Sequence, residues 1–249
     1  MLTEERYRII LRRLAQSGSV TVTELADQLS ASESTIRRDL NALDALGKLT
    51  KVHGGATANT RDYSYIEHPN QEKAKLSIVE KEKIAQCAAS TVCQDDFIFL
   101  DAGTTTQKMI SHIPIQGVTV VTHALGYARD LAQRGIKVLL VGGQVKSATD
   151  AVIGSETVAA LDRYNFTKCY LGVNGISLQR GFTTPDIDEA NIKQTVMKNS
   201  QTCYVLADHS KFDQVSSVSY APLSSACVIT DHLFQQIYHE HCSIWEVEP

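Results

Sequence analysis

Residues 32–43 read Ser32-Glu-Ser-Thr-Ile-Arg-Arg-Asp-Leu-Asn-Ala-Leu43, and this stretch decides the first domain. At 3.6 residues per turn, Ile36, Leu40 and Leu43 share one apolar face, while Ser34, Arg37, Arg38 and Asn41 repeat on the opposite side. Guanidinium forks and an amide suit base edges, and hydroxyls suit phosphates, so the polar stripe fits a helix lying in a DNA major groove. An Arg-Arg pair alone is more often a solvated helix face; its neighbours decide here. Upstream, Thr21-Val-Thr-Glu24 is a capping box that opens a helix over Val22–Leu29, with Leu25, Ala26 and Leu29 inward. Ser30-Ala31 leaves room only for a tight turn, and Ser32 caps the next helix. Two short helices joined this tightly are a helix-turn-helix unit.

An earlier helix starts at Thr3 with Glu4 and Glu5 in its first turn, buries Tyr7, Ile10, Leu11 and Leu14, and ends at Gly18. Gly47 stops the recognition helix, Leu49–Val52 reads as a strand and Gly54-Gly55 as a hairpin tip. Three helices and a hairpin predict a winged helix, with Lys51 and His53 on the wing. The candidate DNA-binding residues are Thr21, Ser32, Ser34, Thr35, Arg37, Arg38, Asn41, Lys51 and His53. Residues 1–56 carry eight Lys/Arg against seven Asp/Glu, net +1, and the remainder 16 against 21, net −5. A module so close to neutral cannot rely on bulk attraction to the backbone. Affinity must come from placed contacts and from binding repeated half-sites as a dimer or tetramer.

The 249 residues suit two domains: residues 1–57, a polar, turn-rich linker over 58–70, and a larger domain over 71–249. The amino terminus is charged from Glu4 onward, unlike a signal peptide, and no apolar run approaches membrane-spanning length, so the expected location is the cytoplasm, with no membrane partner. The six cysteines are scattered without a Cys-x-x-Cys pair and the eight histidines form no ligand-spaced cluster, which predicts reduced thiols, no metal and no cofactor.

Beyond the linker, Gln71–Thr91 reads as one charged helix with Ile84, Ala85 and Ala88 inward. Apolar runs then alternate with helical stretches: Phe97–Leu100, Val118–Val121, Val138–Val141, Lys168–Leu171, Thr202–Leu206 and Cys227–Thr230. This predicts a mostly parallel sheet covered on both faces, with ligands beyond the carboxyl ends of its strands. There stand Asp101-Ala-Gly103-Thr104-Thr105-Thr106 ahead of a helix over Gln107–His112, then Thr122-His123, Gly142-Gly143 with Lys146, Asn174-Gly175, and Asp208-His-Ser-Lys211. Hydroxyls, glycines and lysines recurring at successive strand ends suit a small phosphorylated polyol.

The pattern Ser32-x-x-Thr35-Ile36-Arg37-Arg38-Asp39-Leu40-x-x-Leu43, followed by Gly47-x-Leu49-x-Lys51-x-His53-Gly54-Gly55-Ala56, resembles the DNA-binding domain of the DeoR family of bacterial transcription regulators. Lys51 stands where that family more often has arginine, a point charge replacing a fork. Asp101-x-Gly103-Thr104-Thr105, Gly142-Gly143, Gly154, Gly175, Gly181, Glu189-Ala190-x-x-Lys193 and Asp208-x-Ser210-Lys211-Phe212 resemble the family's sensor domain. The resemblance implies an α/β sugar-phosphate sensor of the fold shared with ribose-5-phosphate isomerase, and adds Glu189 and Lys193 to the effector candidates. Gly181–Asp186 most resembles the fructose operon repressors of Gram-positive bacteria, which implies fructose 1-phosphate. Where the family commonly has Thr-Asn, this chain has Thr122-His123, a change that bears on ligand choice or pH response.

The rival reading is a sugar-phosphate isomerase or deaminase with a DNA-binding appendage. The isomerases that the domain resembles carry Asp-Gly-Ala-Asp-Glu after the strand that here reads Leu171-Gly-Val-Asn174-Gly-Ile, a stretch without a carboxylate. Half of the proton-transfer apparatus is missing, which favours a sensor. Glu189 either orients a sugar hydroxyl or pairs with Lys193 one turn on. A third reading, a scaffold that uses its sheet only to dimerise, leaves the strand-end residues without a role.

Overall fold

A computed structural model describes residues 2–57, 63–64, 69–114 and 116–247. The chain divides into two compact units, residues 1–62 and 63–249. In the first, α1 (Thr3–Ser17) ends on Gly18 at φ 75°, left-handed backbone that glycine adopts without strain. After β1 (Ser19–Thr21), α2 (Val22–Leu29) opens in the expected box: Glu24 N donates to Thr21 Oγ1 at 3.2 Å, and Thr21 N donates to Glu24 Oε2 at 3.0 Å. Ser30 turns the chain at φ 48°, and Ser32 caps α3 (Glu33–Ala45), its Oγ accepting from Thr35 N at 3.2 Å. Ile36, Leu40 and Leu43 are fully buried, as are Ile10 of α1 and Leu25 of α2.

The wing, β2 (Thr50–Val52) and β3 (Gly55–Thr57), departs from expectation twice. Its tip is His53-Gly54, not Gly54-Gly55. Gly55 lies within β3, between Val52 on one side and Thr21 on the other, and a Cβ there would stand 2.1 Å from the Val20 carbonyl oxygen. Gly54, at φ 82°, makes the turn; close packing of β1, the central strand's unforeseen second partner, makes Gly55 necessary.

Of the stretch read as a linker, residues 58–62 and 65–68 lie outside the described residues; β4 (Tyr63–Ser64) is a two-residue strand, and Asn70 begins α4 (Asn70–Lys73). The single helix expected over Gln71–Thr91 is instead α4 and α5 (Ile78–Ser90), broken at Ser77, φ 48°. Polar ties to the domain hold the break: Asn70 Nδ2 donates to the Thr149 carbonyl at 2.8 Å, and Lys81 Nζ takes the Lys73 carbonyl at 2.5 Å. Next come β5 (Phe97–Leu100), α6 (Thr104–Met109), β6 (Thr119–Thr122), α7 (Leu125–Gln133) and β7 (Lys137–Leu140). The hairpin β8 (Gln144–Lys146) and β9 (Ala151–Ile153), then α8 (Ser155–Leu161), lead into β10 (Phe166–Gly172). Then follow β11 (Gly175–Ser177), β12 (Gly181–Thr184), α9 (Ile187–Lys198), β13 (Ser200–Leu206), β14 (Val215–Ser216), β15 (Val218–Ala221), β16 (Cys227–Thr230) and β17 (Ser243–Glu246).

The main sheet is parallel throughout, ordered β17-β16-β13-β10-β5-β6-β7. All six expected runs are in it. The seventh strand, β17, is an edge whose Ser-Ile-Trp-Glu gives no apolar run. Side chains alternate between two cores: Phe99, Val121, Cys169, Leu171 and Val205 pack with Ile192 and Val196 of α9, while Ile98, Leu100, Val120, Tyr170 and Leu206 pack with Ile84 and Ala88 of α5 and Leu131 of α7. The small antiparallel sheet β11-β12-β15 and the parallel pair β4–β14 were not foreseen. The chain runs outward from β5 to β6 and β7, then returns to place β10 on the other side of β5. The strand ends of β5 and β10 therefore flank the topological switch point, where open α/β sheets bind ligands.

Candidate functional site

On the first unit, Ser34, Arg37, Arg38 and Asn41 are all exposed along α3, and Lys51 and His53 are exposed on the wing. Ser32 and Thr35 are tied to one another, their hydroxyl oxygens 2.9 Å apart, and Thr21 is held by its cap, so these three shape the helix starts before they meet any phosphate. Arg37 pairs with Glu33 one turn earlier at 3.0 Å, with both side chains about half exposed, a bond cheap to exchange for a base or phosphate. Arg38 has no such partner among the described residues. Lys51 Nζ donates to Asn41 Oδ1 at 2.6 Å and Lys51 N to Asp44 Oδ1 at 2.9 Å, which locks the wing to the recognition helix. Asp39, unassigned by the sequence reading, is buried and takes Arg6 bidentately, Nε at 2.7 Å and Nη2 at 3.1 Å, fixing α3 against α1.

In the second unit, Asp101 follows β5 directly and is almost fully buried. Its Oδ2 accepts from Gly172 N at 2.8 Å and pairs with Lys193 Nζ, while its Oδ1 lies 3.1 Å from His123 Nε2. Burial would raise this carboxyl, but the Lys193 charge and the His123 hydrogen bond outweigh it and hold the group well below the ordinary carboxylate range. Lys193 also donates to the Gly172 carbonyl at 3.0 Å and lies 5.9 Å from the Tyr220 ring centre. His123 is 1% exposed; its Nδ1 donates to the Val152 carbonyl at 3.0 Å, so it positions Asp101 from behind. A Cβ on Gly103 would stand 3.2 Å from Thr106 Oγ1, a tight approach, and 3.6 Å from Gly172 Cα, an ordinary contact.

Glu189 does not pair with Lys193. It accepts from Lys146 Nζ at 3.1 Å and from Thr149 Oγ1 at 3.1 Å, and Lys146 also bonds Asp186 Oδ2 at 2.8 Å. One helical face of α9 thus sends Glu189 toward β8 and Lys193 toward β5. Asp186, absent from the expected set, caps α9 through Asp188 N and Glu189 N.

Several expected ligand groups are turned to structural use. Thr106 is fully buried, donating to the Asp101 and Gly103 carbonyls at 2.6 and 2.8 Å. Thr122 is also buried, its Oγ1 donating to the Leu100 carbonyl at 2.7 Å. A Cβ on Gly143 would lie 2.2 Å from Thr157 Oγ1, and one on Gly175 2.5 Å from the Gln214 carbonyl oxygen, so both mark close packing, while the Gly142 carbonyl accepts from Thr157 Oγ1 at 2.9 Å. Asn174 Oδ1 accepts from Thr184 at 3.2 Å. Thr105 is buried and Thr104 half-buried, and α6, which begins at Thr104, runs only to Met109, too short for its dipole to hold an anion alone.

Lys81, read from sequence as part of a charged surface helix, is buried; burial pushes its ammonium down, as do the nearby charges of Lys211 and Lys73, against an opposing pull from Asp208. Its ammonium donates to the Lys73 carbonyl and so lies among charges of both signs, Asp208 and Glu80 against Lys211 and Lys73. Its sequence signal was a polar residue three before the core position Ile84, at i−3 on the same face.

The chain matches the DeoR-like helix-turn-helix domain over residues 6–62 and the DeoR C-terminal sensor domain over residues 76–232. It is 41% identical, over the full length of both chains, to the uncharacterized HTH-type transcriptional regulator FruR of Bacillus subtilis. It is 34% identical to the lactose phosphotransferase system repressor of Streptococcus mutans, across 93% of each chain. Among solved structures it is similar to ribose 5-phosphate isomerase A of Methanocaldococcus jannaschii over 53% of each chain, at 17% identity and a TM-score of 0.40. With a winged helix at one end and a parallel α/β sensor domain at the other, the chain belongs to the DeoR family of transcription regulators.

Proposed function

We propose that this regulator represses a sugar-utilisation operon and releases its operator on binding a phosphorylated sugar, fructose 1-phosphate foremost. The observation that carries the reading is the set of groups beyond the carboxyl ends of the parallel strands, where Gly103 and Thr104 follow β5 at the switch point and the buried Lys81 feels the charges of Asp208, Lys211 and Lys73. Thr104 and Gly103 approach that ligand from β5, and Lys146 with Glu189 reads its hydroxyls. The relatives' names, FruR and lactose phosphotransferase system repressor, are consistent with a sugar signal. Recognition helices held as pairs in a dimer or tetramer enter successive major grooves, Arg37 and Arg38 meeting bases or phosphates and Lys51 and His53 the backbone. Release needs only a ligand that prefers the arrangement unsuited to the half-sites; a 100-fold preference is about 2.7 kcal/mol of coupling.

The geometry speaks against turnover. Proton shuttling needs a carboxyl group free to change protonation, whereas Asp101 is clamped by Lys193, His123 and Gly172, and Glu189 by Lys146 and Thr149. The test is an operator mobility shift against a panel of phosphorylated and free sugars. Fructose 1-phosphate is expected to release the DNA, Thr104→Val and Lys81→Met to bind operator normally yet lose release, and no phosphosugar to be isomerised. Operator retention with every sugar phosphate would refute the reading.

A further inference from the structure

Cys169 and Cys203 stand directly opposite one another on the neighbouring parallel strands β10 and β13. Neighbouring strands lie about 4.7–4.9 Å apart, and residues in register send their side chains to the same face. That separation falls inside the roughly 4.4–6.8 Å Cα spacing of disulfides, although the usual Cβ spacing near 3.8 Å requires the strands to draw together. Both side chains belong to the core beneath α9. Cys227 is in register with Tyr204, the neighbour of Cys203, and so faces the opposite core. Cys169 is fully buried, whereas Cys203 is half-buried and bonds the Met197 carbonyl of α9 at 3.5 Å.

We propose that Cys169 and Cys203 form a redox-active dithiol, oxidised by a peroxide to a reducible cross-strand disulfide. The Cys203 thiolate attacks the peroxide, taking one oxygen as sulfenic acid and releasing the alcohol or water. The Cys169 thiol then attacks that sulfur; the S–S bond forms and water leaves, so the dithiol's two electrons have reduced the peroxide. The thiols support this order: burial pushes Cys169 up, keeping its proton, and its hydrogen bond to Cys203 favours the thiolate there against the opposing effect of burial. A bridge that must pull two strands together is easily reduced, which suits a reversible mark. It also reaches the ligand site. Cys169 precedes by three residues the Gly172 that bonds Asp101 and Lys193, and Met197 sits one turn beyond Lys193 on α9.

The test is peptide mapping of the full chain after mild hydrogen peroxide, and it needs neither DNA nor sugar. Trypsin places Cys169 in residues 169–180 and Cys203 in residues 199–211. The expected product joins these two peptides, loses two of the six thiols and reverts with dithiothreitol. Cys169→Ser should leave a Cys203 sulfenic acid that dimedone traps, and Cys93→Ser, at an exposed thiol, should still bridge. A Cys203 sulfinic acid without the bridge, a bridge between other cysteines, or no oxidation at either thiol would overturn the proposal. The wild-type map decides it even if a variant fails to fold.

Discussion

Replacing Asp101 by asparagine keeps the shape of the strand-end cluster but removes the charge that faces Lys193. Both side chains are nearly excluded from water, 4% and 6% exposed, so the ammonium is left buried without its counter-ion. Breaking such a pair costs about 3–5 kcal/mol, a large share of a total stability of about 5–15 kcal/mol. At about 2–4 °C per kcal/mol for a domain of this size, the melting temperature should fall by roughly 6–20 °C. Trp245, the chain's single tryptophan, lies in β17, so its fluorescence follows the second unit alone. Removing both charges in Asp101→Asn with Lys193→Met should cost clearly less than the sum of the single changes, because the two groups are coupled. The pH dependence has a definite sign. With the folded carboxyl held below its ordinary range, the unfolded chain takes up the proton first as pH falls below about 4. The gap between wild type and Asp101→Asn should therefore be equal at pH 7 and pH 5 and narrow in more acid solution. A single substitution costing under about 0.5 kcal/mol, as at a surface site, or strict additivity in the double variant, would refute the buried-pair argument.

Gly55→Ala should disrupt the wing and abolish operator binding in a mobility shift, since its methyl would meet the Val20 carbonyl at 2.1 Å. Thr21→Ala should lower the stability of the first unit by about 1 kcal/mol through loss of the cap, read by helical circular dichroism. Asp39→Asn and Arg38→Ala should separate structure from recognition. The first weakens the clasp on Arg6 and costs about 1.5–3 kcal/mol of stability. The second leaves the melting curve in place and costs about 1–3 kcal/mol of operator binding if Arg38 reads a base.

The amino-acid sequence by itself determined the local grammar of this protein: the Thr21 capping box, the Ser32 cap, the apolar stripe of Ile36, Leu40 and Leu43, and six of the strands in the main sheet. Caps and periodic stripes act within one or two turns, so their causes lie in adjacent residues and can be read there. Tertiary structure alone decided which charges meet. Nothing near Arg6 in sequence announces Asp39, and Glu189, four residues from Lys193, ignores it because Lys146 and Asp101 are brought to the strand ends from distant parts of the chain. The same holds for Lys81, Gly55 and the facing cysteines: burial, close backbone approach and strand register depend on pairings between remote segments, and those exist only once the sheet has formed.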